Sequence, residues 1–293
     1  TLVLARDCPL AVAPAMNRQM WSNPATQRNA AQLQADGVAL WGPATGEQAC
    51  GETGEGRMLE PGELLERVIA AVTPKVLAGQ RIVMTVGPTF EPLDPVRGIT
   101  NRSSGQMGYA MARAFAQAGA EVTLVSGPVH FSTPYAVRRI DVLTAEDMRQ
   151  AVMAHIAHAT VFVGVAAVAD YRPVSVAEHK LKKTESDATQ HGRTIELTAN
   201  PDILAEVASL PAAPYCVGFA AESQNLDDYA EAKRQRKRLP LIIGNLVADG
   251  LGTAGNRVTL YDDAGRHPLP VLHKTELAQR LVDELARRLG APC

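Results

Sequence analysis

The run VGPTFEPLDPVRGITNRSSGQMGYAMARAFAQAGAEVTLVSGP, from Val86 to Pro128, decides the fold. Arg81-Ile82-Val83-Met84-Thr85-Val86 has strand composition, and Gly87-Pro88-Thr89 ends the strand. After Ser103-Ser104-Gly105 the apolar residues Met107, Met111, Ala114 and Phe115 recur at helical spacing, and a second strand, Glu121 to Ser126, follows. Strand, loop, helix and strand in that order predict a parallel pair joined by a crossover helix. The loop between strand and helix is long, and loops of that length are functional or disordered. Pro88, Pro92 and Pro95 each fix a backbone angle, which favours a shaped loop. Such a loop lies where an open α/β sheet holds a phosphate-bearing ligand. The glycine spacing G-x-G-x-x-G of a dinucleotide fingerprint is absent from it.

Working outward, the pattern continues with a strand at 137–142, a helix at 145–159, an apolar strand from Thr160 to Val168 and a helix at 201–209. A strand at 215–219, a charged helix at 226–238, a strand at 241–245, a hairpin over 257–269 with Gly265 at its turn, and a helix at 275–289 complete it. Thr144-x-x-Asp147 reads as a capping box. This alternation predicts an α/β fold, doubly wound, with a mostly parallel sheet. Residues 1–72 form a separate unit: a short strand at 10–13, a helix near 23–36, a glycine-rich stretch over 42–57 and an amphipathic helix through Leu64, Leu65, Val68, Ile69 and Val72. Thr73-Pro74 breaks that helix, so 73–79 reads as a linker and 80–293 as the second domain. Residue 1 is Thr, and the chain opens straight into strand-like sequence, which predicts a fragment whose start lies upstream.

With 29 Lys and Arg against 31 Asp and Glu, the formal net charge of −2 gives no general reason to bind nucleic acid or membrane. Cys8, Cys50, Cys216 and Cys293 have no C-x-x-C spacing, which suits a reducing cytoplasm. The apolar run from Val161 to Ala169 is far too short to span a bilayer, and no secretory signal is visible.

Several constellations could carry chemistry. Gly164 to Tyr171 places small residues and Asp170 at a strand end, where a flat ligand could approach the backbone; close helix packing is the plainer reading. His179-Lys180-Leu181-Lys182-Lys183 could clamp a polyphosphate, or be a solvated basic loop. Lys233 and Lys237 lie one turn apart on a charged helix and could reach one anion together, or face solvent. Phe219 could stack on a base or belong to the core, and Asn200-Pro201-Asp202-Ile203 reads as a helix start with free amides. Cys50 sits among glycines, an exposed setting that permits proton or nucleophile chemistry. His155 and His158 have metal-compatible spacing without a third ligand.

Five motifs in order, PAMN at 14–17, ACGExGxGRM at 49–58, GPTxEPLDPVR with TNRSSGxMG at 87–108, AAVADYR with KLKK at 166–183, and NPDI with GFAAES at 200–223, carry a resemblance. The chain resembles the bifunctional phosphopantothenoylcysteine decarboxylase/phosphopantothenate–cysteine ligase family. The resemblance implies a ligase domain after residue 80, preceded by the C-terminal part of an FMN-dependent decarboxylase domain whose activity is lost in the fragment. It implies that CTP, with Mg2+, activates the carboxylate of phosphopantothenate as an acyl-cytidylate, and that cysteine then displaces CMP. It assigns Asn101 to the intermediate and the substrate, donating its amide to an oxygen there, and Lys180 to activation and nucleotide contact. Gly164, Val165, Ala166, Asp170, Lys180, Pro201, Asp202, Ile203, Leu204, Phe219, Lys233 and Lys237 fall at the family's CTP-contact positions. Asn17 falls at the substrate-carboxylate position and Cys50 at that of the proton donor. Gln106 stands where the motif commonly has Lys, and no metal ligand is assigned. A cytoplasmic enzyme, dimeric through its ligase domain and larger when intact, is implied. The rivals are an NADPH-dependent Rossmann-type reductase, which lacks its glycine fingerprint here, and a non-catalytic nucleotide-binding or assembly module.

Overall fold

The computed structural model describes residues 3–49, 51–182, 194–250 and 255–290. The chain divides into two compact units, Thr1–Val72 and Thr73–Cys293.

In the first unit Ala11–Val12 pairs in parallel with Ala39–Leu40. The helix Pro24–Ala35 between them starts at Asn23, whose side chain accepts from Ala25 N, with proline in the first helical position, where no amide is needed. The glycine-rich stretch is an antiparallel hairpin of Ala44–Glu47 with Thr53–Arg57. An amphipathic helix, Pro61–Val72, ends the unit.

The second unit is built on one eight-stranded sheet. Its strands are β1 (Arg81–Val86), β2 (Glu121–Ser126), β3 (Val137–Asp141), β4 (Val161–Gly164), β5 (Tyr215–Glu222), β6 (Leu241–Leu246), β7 (Thr259–Asp262) and β8 (Gly265–Pro268). Its main helices are α1 (Gln106–Gln117), α2 (Ala145–Ile156), α3 (Ile203–Ala208), α4 (Leu226–Lys237) and α5 (Lys274–Arg288). The spatial order is β8-β7-β6-β5-β4-β1-β2-β3. Strands β1 to β6 run parallel, while β7 and β8 return antiparallel.

Alternation along the strands sends side chains to two cores. Ile82, Met84 and Val86 of β1, with Val161 and Val163 of β4, face Tyr109, Met111 and Phe115 of α1 and Leu277, Leu281 and Leu285 of α5. Val83, Phe162 and Ile242 face the other way, onto Met148, Val152 and Ile156 of α2 and Ile203 and Val207 of α3. Helix α2 starts with the expected capping box: Thr144 Oγ1 accepts from Asp147 N, and Asp147 Oδ2 from Thr144 N.

The structure corrects the sequence reading in four places. Strand β4 stops at Gly164 instead of reaching Val168, because the chain beyond it turns to meet the loop after β1, with Ala167 bridging Pro88. Within the loop after β1, Phe90–Pro92 pairs with Gly98–Thr100, a hairpin the prolines had hidden. The turn of the β7–β8 hairpin is Asp263-Ala264, and Gly265 opens β8 with φ +118°. Finally, the stretch 73–79 contains Leu77, fully buried in the core of the second unit, with its amide on Ala118 O.

Candidate nucleotide and substrate site

Strand order reverses between β1 and β4, so the chain after β1 and the chain after β4 diverge and leave a crevice at their carboxyl ends. Gly87 (φ +77°) and Gly105 (φ +74°) take left-handed conformations that favour glycine. A Cβ on Gly105 would lie 3.5 Å from Gly87 Cα, so the loop leaves and returns at one point, and α1 begins beside the end of β1. Thr89, fully buried, accepts from Ala169 N at 3.0 Å through Oγ1 and stitches the two crevice loops together.

On one side of the crevice is a cavity of about 520 Å³. Gly164, Val165, Ala166 and Asp170 reach it from the segment after β4, and Pro201, Asp202, Ile203 and Leu204 from the start of α3. Phe219 of β5 and Lys233 and Lys237 of α4 complete the set, so eleven of the positions expected to contact nucleotide, from Gly164 to Lys237, share one space. Lys233 Nζ donates to Phe219 O at 2.7 Å, and burial, then the charge of Lys237, lowers its pKa. Lys237 Nζ is 2.7 Å from Asp202, which also caps α3 by accepting from Ala205 N. Burial alone would raise the pKa of Asp202, but hydrogen bonds from Lys237 and Ala205 hold it below the usual carboxylate range.

A second cavity, of about 220 Å³, adjoins the first: Val165, Ala167, Phe219 and Ala221 line both. It is bounded by the N-terminal end of α1, Arg102 to Gly108, and by Asn245, Asn256 and Lys274. Asn256 is 5% exposed, and its Oδ1 is buried with no hydrogen-bond partner among the described residues. Lys274, also 5% exposed, donates from Nζ to Gln106 Oε1 at 3.0 Å, and burial lowers its pKa. Sequence reasoning missed these three. Asn245, a polar residue at the carboxyl end of an apolar strand, carried a legible signal; Asn256 and Lys274 did not.

Asn101 and Lys180 line neither cavity. Asn101 Nδ2 donates to Ala167 O (3.2 Å) and Val168 O (3.0 Å), so its amide holds the wall of the larger cavity, where the resemblance had it donating to a ligand oxygen. Lys180 is exposed. Its segment is fixed by backbone, through Leu181 N to Asp94 Oδ2 (3.0 Å), Arg97 to Leu181 O, and Ala177 N to Leu93 O. Lys183 and residues 184–193 lie outside the described residues, as does Cys50.

In the first unit, Met16, Asn17, Gln48, Arg57 and Met58 line a cavity of about 740 Å³. Asn17 Nδ2 donates to Glu52 Oε2 at 2.7 Å, so a carboxylate of the chain itself meets the amide expected to hold a substrate carboxylate. Hydrogen bonds from Gln19 and Asn17 lower the pKa of Glu52. His155 Nδ1 is engaged with Ala151 O, and among the described residues no group of three His, Cys, Asp or Glu could hold a metal.

Residues 77–289 match the family model described as DNA/pantothenate metabolism flavoprotein C-terminal domain, and residues 1–73 match a flavoprotein model. The chain is 50% identical over 286 residues to the coenzyme A biosynthesis bifunctional protein CoaBC of Vibrio cholerae, covering 96% of this chain and 71% of that protein. The chain belongs to the CoaBC family. The Escherichia coli K12 member is 48% identical over 294 residues, covering 98% of this chain and 72% of that protein. Among solved structures, the C-terminal domain of a CoaBC protein superposes with a TM-score of 0.63 at 37% identity, over 74% of this chain and all of the other. The family's α/β architecture is therefore the one described above, and no described helix is long and apolar enough to cross a membrane.

Proposed function

We propose that the second unit, residues 73–293, activates a carboxylic acid with CTP at the wall between the two cavities. Membership of the CoaBC family makes the chain an enzyme of coenzyme A biosynthesis, a phosphopantothenate–cysteine ligase with a flavoprotein unit attached. The observation that carries the CTP reading is the shared wall. Nucleotide positions with two lysines lie on one side of Val165, Ala167 and Phe219, and an anion-favouring helix N-terminus with Lys274 lies on the other.

In this reading the triphosphate lies along Lys233 and Lys237, and phosphopantothenate lies with its phosphate in the smaller cavity. A carboxylate oxygen of the acid forms a bond to the α-phosphorus while the bond to the β-phosphate bridging oxygen breaks, and pyrophosphate leaves with the electron pair. The amine of cysteine then bonds to the acyl carbon, loses a proton, and CMP departs. Both reacting groups are anionic, so the lysines offset a repulsion that otherwise opposes their encounter. Asn101 acts by fixing the carbonyls of Ala167 and Val168 at the meeting point. Lys180 reaches the phosphates only once they are present to attract it. Asp170 and Asp202 are the carboxylates that line the cavity and would hold a magnesium ion, which would supply further positive charge against the phosphates.

The first unit, residues 1–72, is the C-terminal part of an FMN-dependent decarboxylase domain in this reading. Its cavity has polarisable methionine walls, an amide at Gln48 and a cation at Arg57, a set that suits a flat phosphorylated cofactor. FMN would supply the electron acceptor for oxidative decarboxylation; Asn17 would orient a carboxylate, and Cys50 would hold the proton. We place the enzyme in the cytoplasm, working as a dimer through the second unit.

Incubation with phosphopantothenate, cysteine, CTP and magnesium should release pyrophosphate and CMP in equal amounts. Folded protein that binds CTP and releases neither is a binding module, and one that binds NADPH in place of CTP is a reductase; either result removes the proposal.

A further inference from the structure

Lys274 is the first residue of α5 and is almost entirely buried, and its ammonium lies 3.0 Å from Gln106 Oε1, on the first residue of α1. Both residues line the smaller cavity, so two helix N-termini and a buried ammonium converge on about 220 Å³. Peptide dipoles make each N-terminus electropositive, so a cation buried there costs more than desolvation alone. An entering anion offsets both costs at once. The cavity also presents the buried Asn256 Oδ1, an acceptor that calls for a donor. A ligand that satisfies the whole lining carries an anion at one end and a hydroxyl or amide N–H nearby. Inorganic phosphate satisfies only part of it, and an organic phosphomonoester with such donors satisfies all.

We propose that Lys274, held by Gln106, is the residue by which the smaller cavity selects the phosphorylated form of the acid substrate over the unphosphorylated form. The inference rests on the ligase reading above. A phosphomonoester carries close to two negative charges at neutral pH, and a point-charge ammonium distinguishes it from the neutral alcohol that remains when the phosphate is absent.

The test uses the full chain, pyrophosphate release as the assay, and phosphopantothenate or pantothenate as the acid. Lys274→Gln should raise KM for phosphopantothenate roughly thirtyfold, the size of one lost charge-assisted hydrogen bond. KM for CTP should stay within twofold, and the preference for the phosphorylated acid should narrow by the same factor. Moving the charge across the 3.0 Å contact, in the double variant Gln106→Lys with Lys274→Gln, should restore most of the preference. A lysine needed only for packing would not be rescued by that exchange. The proposal is overturned if Lys274→Gln keeps both KM and preference within twofold, or if KM for CTP rises in step with KM for the acid. Should Lys274→Gln give no folded protein, the exchange variant decides alone: a restored preference supports the proposal and a lost one overturns it. No pyrophosphate from the unsubstituted protein overturns the ligase reading itself and this inference with it, so the two failures are told apart.

Discussion

Asp94 Oδ2 accepts from Leu181 N at 3.0 Å, which joins the loop that carries Asn101 to the segment that carries Lys180 across 87 residues of sequence. The same carboxylate accepts from Val96 N and Arg97 N at 2.8 Å and from the Arg97 guanidinium at 2.6 and 3.0 Å. Its side chain is fully buried. Asp94 thus registers the two pieces of the site together with the contacts of Arg97 to Leu181 O and Ala177 N to Leu93 O.

Asp94→Asn turns one acceptor into a donor facing Leu181 N. Because angstrom-scale misplacement of a reacting group can cost about a hundredfold, kcat for ligation should fall roughly tenfold to a hundredfold, more than KM for CTP rises, in steady-state assays. Burial alone would raise the pKa of Asp94, but hydrogen bonds from Leu181, Arg97 and Val96 bring it far below the usual carboxylate range. The folded pKa is depressed, so the stability it contributes is complete above the unfolded value of about 3.9 and is lost as pH falls below it. Melting temperatures of parent and Asp94→Asn should differ by a constant amount above about pH 5 and converge below about pH 4. A difference that grows on acidification contradicts this.

Asn101→Asp sets a carboxylate oxygen against Ala167 O and Val168 O, where an amide now donates. Lone pairs would face lone pairs, and the cavity wall would shift. Turnover of the acyl-cytidylate should slow, so mass spectrometry should find the intermediate accumulating. Lys180→Gln should instead slow its formation. Parent-like time courses in both variants would remove the two roles.

Lys237→Gln removes a cation whose side chain is 11% exposed and which pairs with Asp202. KM for CTP should rise roughly tenfold, the cost of one charged hydrogen bond, while KM for cysteine stays unchanged. An equal rise in both would place Lys237 outside the nucleotide site.

Cys216 is buried on β5, and burial pushes its thiol up to about 11. The thiolate is the nucleophile, so Cys216 should resist iodoacetamide at pH 8 in the native protein and react only on unfolding. Cys8 is exposed and should react at once. Peptide mapping by mass spectrometry distinguishes the two, and rapid native labelling of Cys216 would contradict its packing.

Much of the second unit was legible because its strands and helices bury on the period that their apolar residues keep. Ile82 to Val86 form a nearly continuous apolar run that is buried throughout, and the pleat of the strand sends Ile82, Met84 and Val86 to one core and Val83 to the other. Lys233 and Lys237 were legible as a pair because one helical turn separates them. Loop pairings were not, since Phe90–Pro92 finds Gly98–Thr100 through a turn whose prolines argue against a strand. Nor was the packing of Leu77, which depends on its meeting Ala118.

The sequence by itself determined the succession of strands and helices, because backbone preference and apolar period are local properties that survive without any partner. It also determined the chemistry available, lysines, carboxamides and small residues at strand ends. Only the tertiary structure decided that eleven of the positions proposed for nucleotide share one cavity, that the Asn101 amide bonds a backbone wall, that Lys180 lines neither cavity, and that Lys274 meets Gln106 across 168 residues. Those relations are fixed by strand order and by where a polar group finds its partner, and neither quantity is a function of the residues adjacent in the chain.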